Sequence, residues 1–360
     1  MTPVDQDARR ILSAFSMRKV LLPVVIGLGI TGFLLWRNAD WAALERVQWT
    51  WHTTFWMILA AISVGIRDYA YMVRIRHLTD HQLDWWRTFV VIMLWEFASA
   101  LAPGVIGGGF LFAILILTRE GVEAGKSVTI ITFTSFLDGI FLAVMAPLVY
   151  FTVGREALFA GMDTGSGPWD TGFYVWFWTV YFGILAYKLF VGYALFVNPT
   201  FVKRALVGIF SAPILRRWRR GMVTTGDQLI VAANGLKNRG WDYWWPALLA
   251  TFVSWTARYS IVNCILHAFH PGMGFGNDAV IYGKQVIMGI IVLLSPTPGG
   301  SGLAEFIFND FLGLYIATGL APALALVWRL MSYYPYIVAG LILLPRWIRR
   351  NIVPAALRRS

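Results

Sequence analysis

Arg67, Asp68, Glu96, Asp138, Arg258, Lys284, Glu305 and Arg329 all fall inside apolar stretches of this 360-residue chain. A charged side chain at mid-membrane costs on the order of 2.5–3.5 kcal/mol on insertion scales, so each of them needs a partner or a purpose. Arginines so placed neutralise phosphate oxygens, and carboxylates pair with them, carry protons or receive an amine. Arg258, Arg329 and Lys284, beside free backbone amides at a helix break, suit a phosphate oxygen. The break is SPTPGGSGLAEFIF (295–308), where two prolines and three glycines interrupt an apolar run and Glu305 follows in the next turn. There the helix dipole favours an anion. Glu305 is then either a capping carboxylate for free amides or a proton, cation or amine site. The glycines at 107–109 (Gly107 and Gly108 among them) and 299–300 allow close backbone approach, to a ligand or to an opposing segment. Glu96 is placed to serve the first glycine cluster as Glu305 serves the second.

Two further pairings follow from position. Asp68 directly follows Arg67, which puts it on a different face of a helix and argues against a pair between them. Asp138 (TSFLDGIF) and Arg329 (LVWRLMSYYP) are expected to pair as a buried tie between the two halves of the chain, or else to line a substrate path. Other motifs lead nowhere. EGVEAGKS (120–127) has a glycine one residue out of place for a phosphate loop, and His77, His81 and Asp84 lack the HExxH pattern of a metal helix. Neither a metal nor a cofactor is expected. Cys264 is the only cysteine, which excludes an intrachain disulfide and a thiolate cluster.

These charges must be held by membrane helices. The chain is 58% hydrophobic and 14% charged, with mean hydropathy +0.62, a composition of polytopic membrane proteins and not of soluble domains. Its net charge of +11 first reflects loops held on the cytoplasmic side; nucleic acid is not expected, since no basic domain of recognisable fold is present. Apolar spans are expected near 20–36, 54–73, 127–151, 173–196, 244–267 and 321–345. The first follows Arg9, Arg10, Arg18 and Lys19 without a small-residue cleavage site, so it reads as a retained signal anchor. Two more regions, 88–118 and 281–318, are broken at PGVIGGG (103–109) and at 295–302. Their arms of about 15 residues reach roughly 22 Å as helix, short of a hydrocarbon core of about 30 Å.

Basic residues set the orientation. Lys203, Arg204, Arg216, Arg217, Arg219, Arg220, Lys237 and Arg239 crowd 198–243, and Arg346, Arg349, Arg350, Arg358 and Arg359 the tail, so both are expected in the cytoplasm with the N-terminus. Parity then makes 88–118 a re-entrant hairpin from the cytoplasmic side and 281–318 one from outside. The resulting fold class is an all-α polytopic membrane protein, with about six full transmembrane helices and two re-entrant helical hairpins in an inverted-topology repeat: 1–157, then 158–348, then a basic tail, 349–360. Arg67 and Arg258 fall at matching depths of the two halves. The segment 199–239 reads as amphipathic helix on the cytoplasmic face, where Arg216, Arg217, Arg219 and Arg220 meet an anionic lipid surface or act as a topology determinant.

PTPGGSGLAE (296–305), LAPGVIGGGFLFAILILTREGVEAGKSVTIITFTSFLD (101–138) and LVWRLMSYYPYIVAG (326–340) resemble the corresponding elements of the lysylphosphatidylglycerol synthase/flippase transmembrane-region family. The resemblance implies two re-entrant hairpins, movement of lipid headgroups between leaflets, and a place in a bacterial inner (cytoplasmic) membrane. By position it puts Pro298, Gly299, Gly300, Gly302 and Glu305 at the second hairpin's vertex, Asp138 after the first, and Arg329 in the last span. The chain departs from the family in having no soluble synthase domain and no acid or arginine at PGVIGGG. The expected activity is that of a lipid flippase for an anionic or zwitterionic headgroup, phospholipid or polyprenyl-phosphate-linked, and not an enzyme. The alternatives are a membrane-embedded lipid-modifying transferase, or a scaffold for a separately encoded synthase or glycosyltransferase. Partners would be membrane lipids, a second copy of the chain, or such an enzyme.

Overall fold

The computed structural model describes residues 48–101, 109–160, 168–211, 216–237, 239–293, 295, 297 and 299–351, with single positions before residue 48. Apart from those positions, the expected first span (20–36) lies outside the described residues. So do 102–108, with Gly107 and Gly108, 212–215, Pro298 and the tail from 352.

Helix α1 (Trp51–Leu78) starts at Thr50, whose hydroxyl accepts from the Thr53 amide at 3.3 Å while Thr53 reaches back to the Thr50 amide. This reciprocal cap satisfies amides that the first turn leaves free. At 28 residues α1 is about 42 Å long and exceeds the hydrocarbon core. Two short helices follow, α2 (Trp85–Leu101) and α3 (Phe110–Arg119), then the long α4 (Ala124–Val153), the single turn α5 (Arg155–Phe159) and α6 (Pro168–Phe196). Next come α7 (Pro199–Ile209), α8 (Arg219–Leu236) and the 29-residue α9 (Trp241–Phe269). A second short pair, α10 (Asp278–Val292) and α11 (Leu303–Leu312), precedes α12 (Ala321–Ser332) and α13 (Tyr334–Asn351). The expected last span is thus two helices. Tyr333 leaves helical geometry: Pro335 has no amide for the Met331 carbonyl and its ring crowds that carbonyl, so α12 cannot continue, while a proline fits the first turn of α13.

Among the described residues four stretches are long and apolar enough to cross a membrane: α1, α4, residues 174–196 of α6, and α12 with α13. Helix α9 has the length but carries Arg258, Asn263 and His267. The arms of the two short pairs, 17 and 10 residues in the first and 15 and 10 in the second, are about 15–25 Å long. The pairs pack reciprocally: α2 lies on α13, the last helix of the chain, and α10 lies on α4. Gly340 of α13 is filled from the facing side by the ring of Phe97, so the two helices approach closely. Helices α1 and α9 form the most extensive contact of all. Among the described residues two large apolar cores result, one around Phe97, Phe133 and Trp347, the other around Phe141, Phe177, Phe308 and Phe311, with a small cluster of Ala100, Tyr333 and Ile337 besides.

The expected amphipathic segment is α7 and α8, which fold back on each other and on α6; α8 sets Leu229, Ala232 and Leu236 inward against α4. Arg216, Arg217, Arg219 and Arg220 remain exposed.

One exposed tie fixes the end of the bundle where α1 stops and α4 and α9 start. Asp80 accepts from Lys126 Nζ at 2.8 Å and from both terminal nitrogens of Arg239 at 3.3 and 3.2 Å. Slight burial pushes its carboxyl upward, but the hydrogen bonds and charges of Lys126 and Arg239 outweigh this and hold it below its usual range. A lowered carboxylate contributes stability above its unfolded value of about 3.9 and loses it as pH falls through the folded one. Asp80→Asn should therefore cost up to about 1 kcal/mol at pH 7, as exposed pairs do. The difference from wild type should shrink in melts as pH falls below about 3.9 and through the folded value; a difference that stays undiminished in acid would show that the charge is not what ties these helices.

Candidate functional site

Arg67, Tyr71, Arg74 and Leu78 recur along one face of α1, and all four are buried. Arg74 Nη1 donates to Asp138 of α4 at 2.6 Å and to Thr251 of α9 at 2.8 Å. Trp255 Nε1 of α9 reaches the same Asp138 oxygen at 2.9 Å. Three helices therefore meet at Asp138. Two turns away, Arg67 holds two carboxylates, Asp68 at 3.1 Å and Glu96 of α2 at 2.6 Å. Tyr336 of α13 accepts from Arg67 and donates to Asp68 at 2.9 Å.

The second break is built by glycine. Gly299, Gly300 and Gly302 have φ of 58°, 69° and 88°, the left-handed region that costs other residues most. The Tyr333 ring fills the space where a Gly299 side chain would lie. Ser295 and Thr297 share a hydroxyl hydrogen bond of 2.7 Å, and Thr297 donates to the Ser301 carbonyl at 2.8 Å, which closes the turn. Glu305, in the first turn of α11, accepts from the Gly302 amide at 2.6 Å and from Arg329 Nε at 2.7 Å. Arg329 Nη1 continues to the Gly299 carbonyl at 3.1 Å. Tyr333 Oη donates to the Ala100 carbonyl at the end of α2, 3.1 Å away. The break beside α11 and the end of the α2 arm are thus joined through the turn between α12 and α13.

Between these groups lies a cavity of about 370 Å³, within the size range of small-molecule sites. Arg74, Glu96, Asp138, Arg258, Gly299, Gly300 and Arg329 line it, among aromatic side chains that include Tyr71, Trp95, Trp255 and Tyr259. Arg329 Nη2 and Tyr259 Oη, on side chains each 5% exposed, have no hydrogen-bond partner. Among the described residues Arg258 has no carboxylate partner; its guanidinium lies 5.3 Å from the centre of the Trp255 ring. Arg258 thus lines the cavity without an ion pair among the described residues, while Arg329 Nη2 and Tyr259 Oη are sealed in its wall as unmet donors, a costly state for a buried polar group.

Several sequence expectations need correction. Asp138 and Arg329 do not pair: each has a nearer partner, Arg74 and Glu305. Arg67 and Asp68 do pair despite adjacency, because the long guanidinium arm folds toward Asp68 and Tyr336 bridges the two. Glu96 pairs with Arg67; the first glycine cluster it was expected to serve lies, but for Gly109, outside the described residues. Lys284 does not line the cavity; its ammonium donates to the Ala160 carbonyl at 2.7 Å, with the Phe311 and Tyr315 rings 5.8 and 5.9 Å away. Arg67 and Glu305 support the wall from behind without lining it. Two cations went unnoticed in the sequence. Arg74 sits one residue past the expected end of its span, yet it is seven residues from Arg67, a helical spacing that puts both on one face. Lys188 of α6 donates to the Ser135 carbonyl at 2.6 Å through the gap left by Gly139.

A helical bundle with membrane-spanning segments, paired short helices and a charged internal cavity is an all-α polytopic membrane protein. The chain belongs to the lysylphosphatidylglycerol synthase TM region family, whose model matches residues 20–340. It is also similar to a UPF0104 membrane protein of Archaeoglobus fulgidus, 21% identical over 349 residues, which span 89% of this chain and 95% of that one.

Proposed function

We propose that this protein carries the headgroup of an anionic or zwitterionic lipid, phospholipid or polyprenyl-phosphate-linked, between the leaflets of a bacterial cytoplasmic membrane. The observation behind this reading is the cavity lined by Arg74, Arg258 and Arg329 beside a glycine-built helix break. Broken helices meeting at the interface of inverted repeats (1–157 and 158–348) are a recurrent site of substrate binding in transporters, and guanidinium groups match phosphate oxygens in geometry. The reading is of a carrier and not of an enzyme. Glu305, the carboxylate placed to act as a base, is 3% exposed and has both oxygens engaged by Gly302 and Arg329. The exposed Arg216, Arg217, Arg219 and Arg220 would hold the α7–α8 face to anionic lipid, at about 1 kcal/mol per basic residue near the surface.

Leaflet exchange in proteoliposomes tests the proposal, with acyl-labelled phospholipids and a labelled polyprenyl phosphate as probes. Exchange above that of protein-free vesicles is expected for at least one of them. Arg258→Ala should reduce it by about tenfold to a hundredfold, as for loss of a charge-assisted hydrogen bond of ~1.5–3 kcal/mol. The variant should stay monodisperse, since Arg258 holds no ion pair. Wild-type protein that moves none of the lipids, with or without an ion gradient, would end the carrier reading.

A further inference from the structure

Seven aromatic residues line the cavity, and six of them have a planar partner of their own within the protein. Trp255 stacks on Phe141 and Trp328 on Phe308, and Tyr259 meets the Trp255 ring. Tyr71, Tyr333 and Tyr336 each lie against a guanidinium. Trp95 of α2 is the exception: among the described residues its indole has neither a ring nor a cation against it. The side chain is half-buried. A side-chain atom added at Gly109 would fall 2.9 Å from Trp95 Cδ1, so the indole edge is seated against the start of α3. A fixed indole without a planar partner therefore borders the cavity.

The polar groups that share this lining are acceptors with capacity to spare. Glu96, next to Trp95 in sequence, and Asp138 both line the cavity, with side chains 23% and 25% exposed. Each is paired with an arginine through one oxygen: Glu96 Oε2 with Arg67, and Asp138 Oδ1 with Arg74, where Trp255 also donates. Glu96 Oε1 and Asp138 Oδ2 accept no hydrogen bond among the described residues, and neither is sealed inside the protein. Gln285 of α10 adds an amide whose hydrogen bond goes to the Met288 sulfur at 3.5 Å, a weak acceptor. Charges of both signs are interleaved here and not sorted onto opposite sides, since Arg67, Glu96, Asp138 and Arg258 all act on the Tyr71 hydroxyl. A cation that reached the free carboxylate oxygens would come up against these arginines, whereas a neutral hydroxyl donates to the same oxygens without adding charge.

We propose that the headgroup taken by this cavity is a sugar ring joined to its lipid through phosphate. The apolar C–H face of the ring lies on Trp95, because an indole face is negative and C–H groups are weakly positive. The ring hydroxyls donate to Glu96 Oε1 and Asp138 Oδ2 and meet the Gln285 amide. The phosphate takes Arg258, which lines the cavity without an ion pair among the described residues. A cavity of about 370 Å³ is of a size for one ring with its phosphate. A headgroup without hydroxyls would strip water from the two carboxylate oxygens and leave them unpaired. This rests on the carrier reading and, within it, names the polyprenyl-phosphate-linked class, with a sugar as the part recognised.

The test titrates the full chain in detergent with citronellyl phosphate, a short isoprenyl phosphate, and with the same compound carrying glucose, mannose, galactose or N-acetylglucosamine. At least one glycosylated probe is expected to bind about tenfold tighter than the bare phosphate. Trp95→Ala should abolish that gain and leave the affinity for citronellyl phosphate within about twofold of wild type. Trp95→Phe keeps a flat face of smaller area, should retain part of the gain, and serves if the alanine variant does not fold. Arg258→Ala should weaken bare and glycosylated probes alike. No gain for any sugar, or a gain undiminished in the Trp95 variants that fold, overturns the proposal. Leaflet exchange in vesicles, with the glycosylated polyprenyl phosphates and phosphatidylethanolamine as labelled lipids, separates this reading from the one it rests on. Sugar-dependent binding without exchange of any lipid keeps the site and ends the carrier reading. Exchange of a lipid without any effect of sugar keeps the carrier and ends the sugar site; if neither occurs, both fall.

Discussion

Arg329→Ala should destabilise the protein by about 3–5 kcal/mol, the range for removing one partner from a buried ion pair. Both members are inside the protein, Arg329 at 5% exposure and Glu305 at 3%. The arginine does two things at once: Nε holds Glu305, and Nη1 holds the Gly299 carbonyl of a left-handed turn. Without it Glu305 keeps only the Gly302 amide, and the Gly299 carbonyl loses its donor. Arg329→Lys should recover part of the loss, since an ammonium restores the charge but not the planar fork that reaches both acceptors. Reversible unfolding in mixed micelles measures these differences. A loss under about 1 kcal/mol for the alanine variant would mean that the break is held by its glycines and hydroxyls alone.

Arg67→Met should cost a similar ~3–5 kcal/mol for a different reason: it takes from two carboxylates, Asp68 and Glu96, the cation that both are paired with. The arginine is 2% exposed and bound to Tyr336, so α1, α2 and α13 all lose a contact. The double variant Arg67→Met, Glu96→Met should be more stable than the single one, because replacing a buried pair by apolar groups of similar volume is often close to neutral. Comparing the two by the same unfolding measurement separates the cost of an orphaned acid from the loss of packing. If the double variant is the less stable, packing by Arg67 and its contact with the Tyr336 ring, 4.7 Å from the guanidinium, carry the stability instead.

Much of the architecture was legible because each signal had one dominant physical cause. Long apolar runs have to be helices in lipid, and Pro/Gly clusters have to interrupt them; α1, α4, α6, α9 and the short arms followed. Glu305 was legible as a capping group, since a carboxylate in the first turn after a glycine break meets free amides there. The partners of the buried charges were not legible. Spacing says which residues share a face, but not how two faces rotate toward each other; Asp138 meets Arg74 because α9 packs on both α1 and α4 and the long Arg74 arm, bound to Thr251 of α9, reaches across to it. Adjacent residues were judged from their backbone directions, which understates the reach of an arginine, so the Arg67–Asp68 pair was missed. Lys188 carries no break, motif or charged neighbour, and only the gap at Gly139 shows why a lysine is tolerated there. Tyr259 looked like one more aromatic residue of a span, and its unpartnered hydroxyl is visible only in three dimensions.

The reciprocal contacts of α2 with α13 and of α10 with α4 bear on how such a protein can move. The first arm of each short pair rides on a long helix of the opposite half, and the Tyr333–Ala100 hydrogen bond fastens α2 to the turn at α12. Two halves of the sequence therefore cannot swing as two blocks without tearing both seams. The packed units are therefore interleaved along the chain: a crosslink from α2 to α13 joins the two sequence halves and yet falls within a single packed unit.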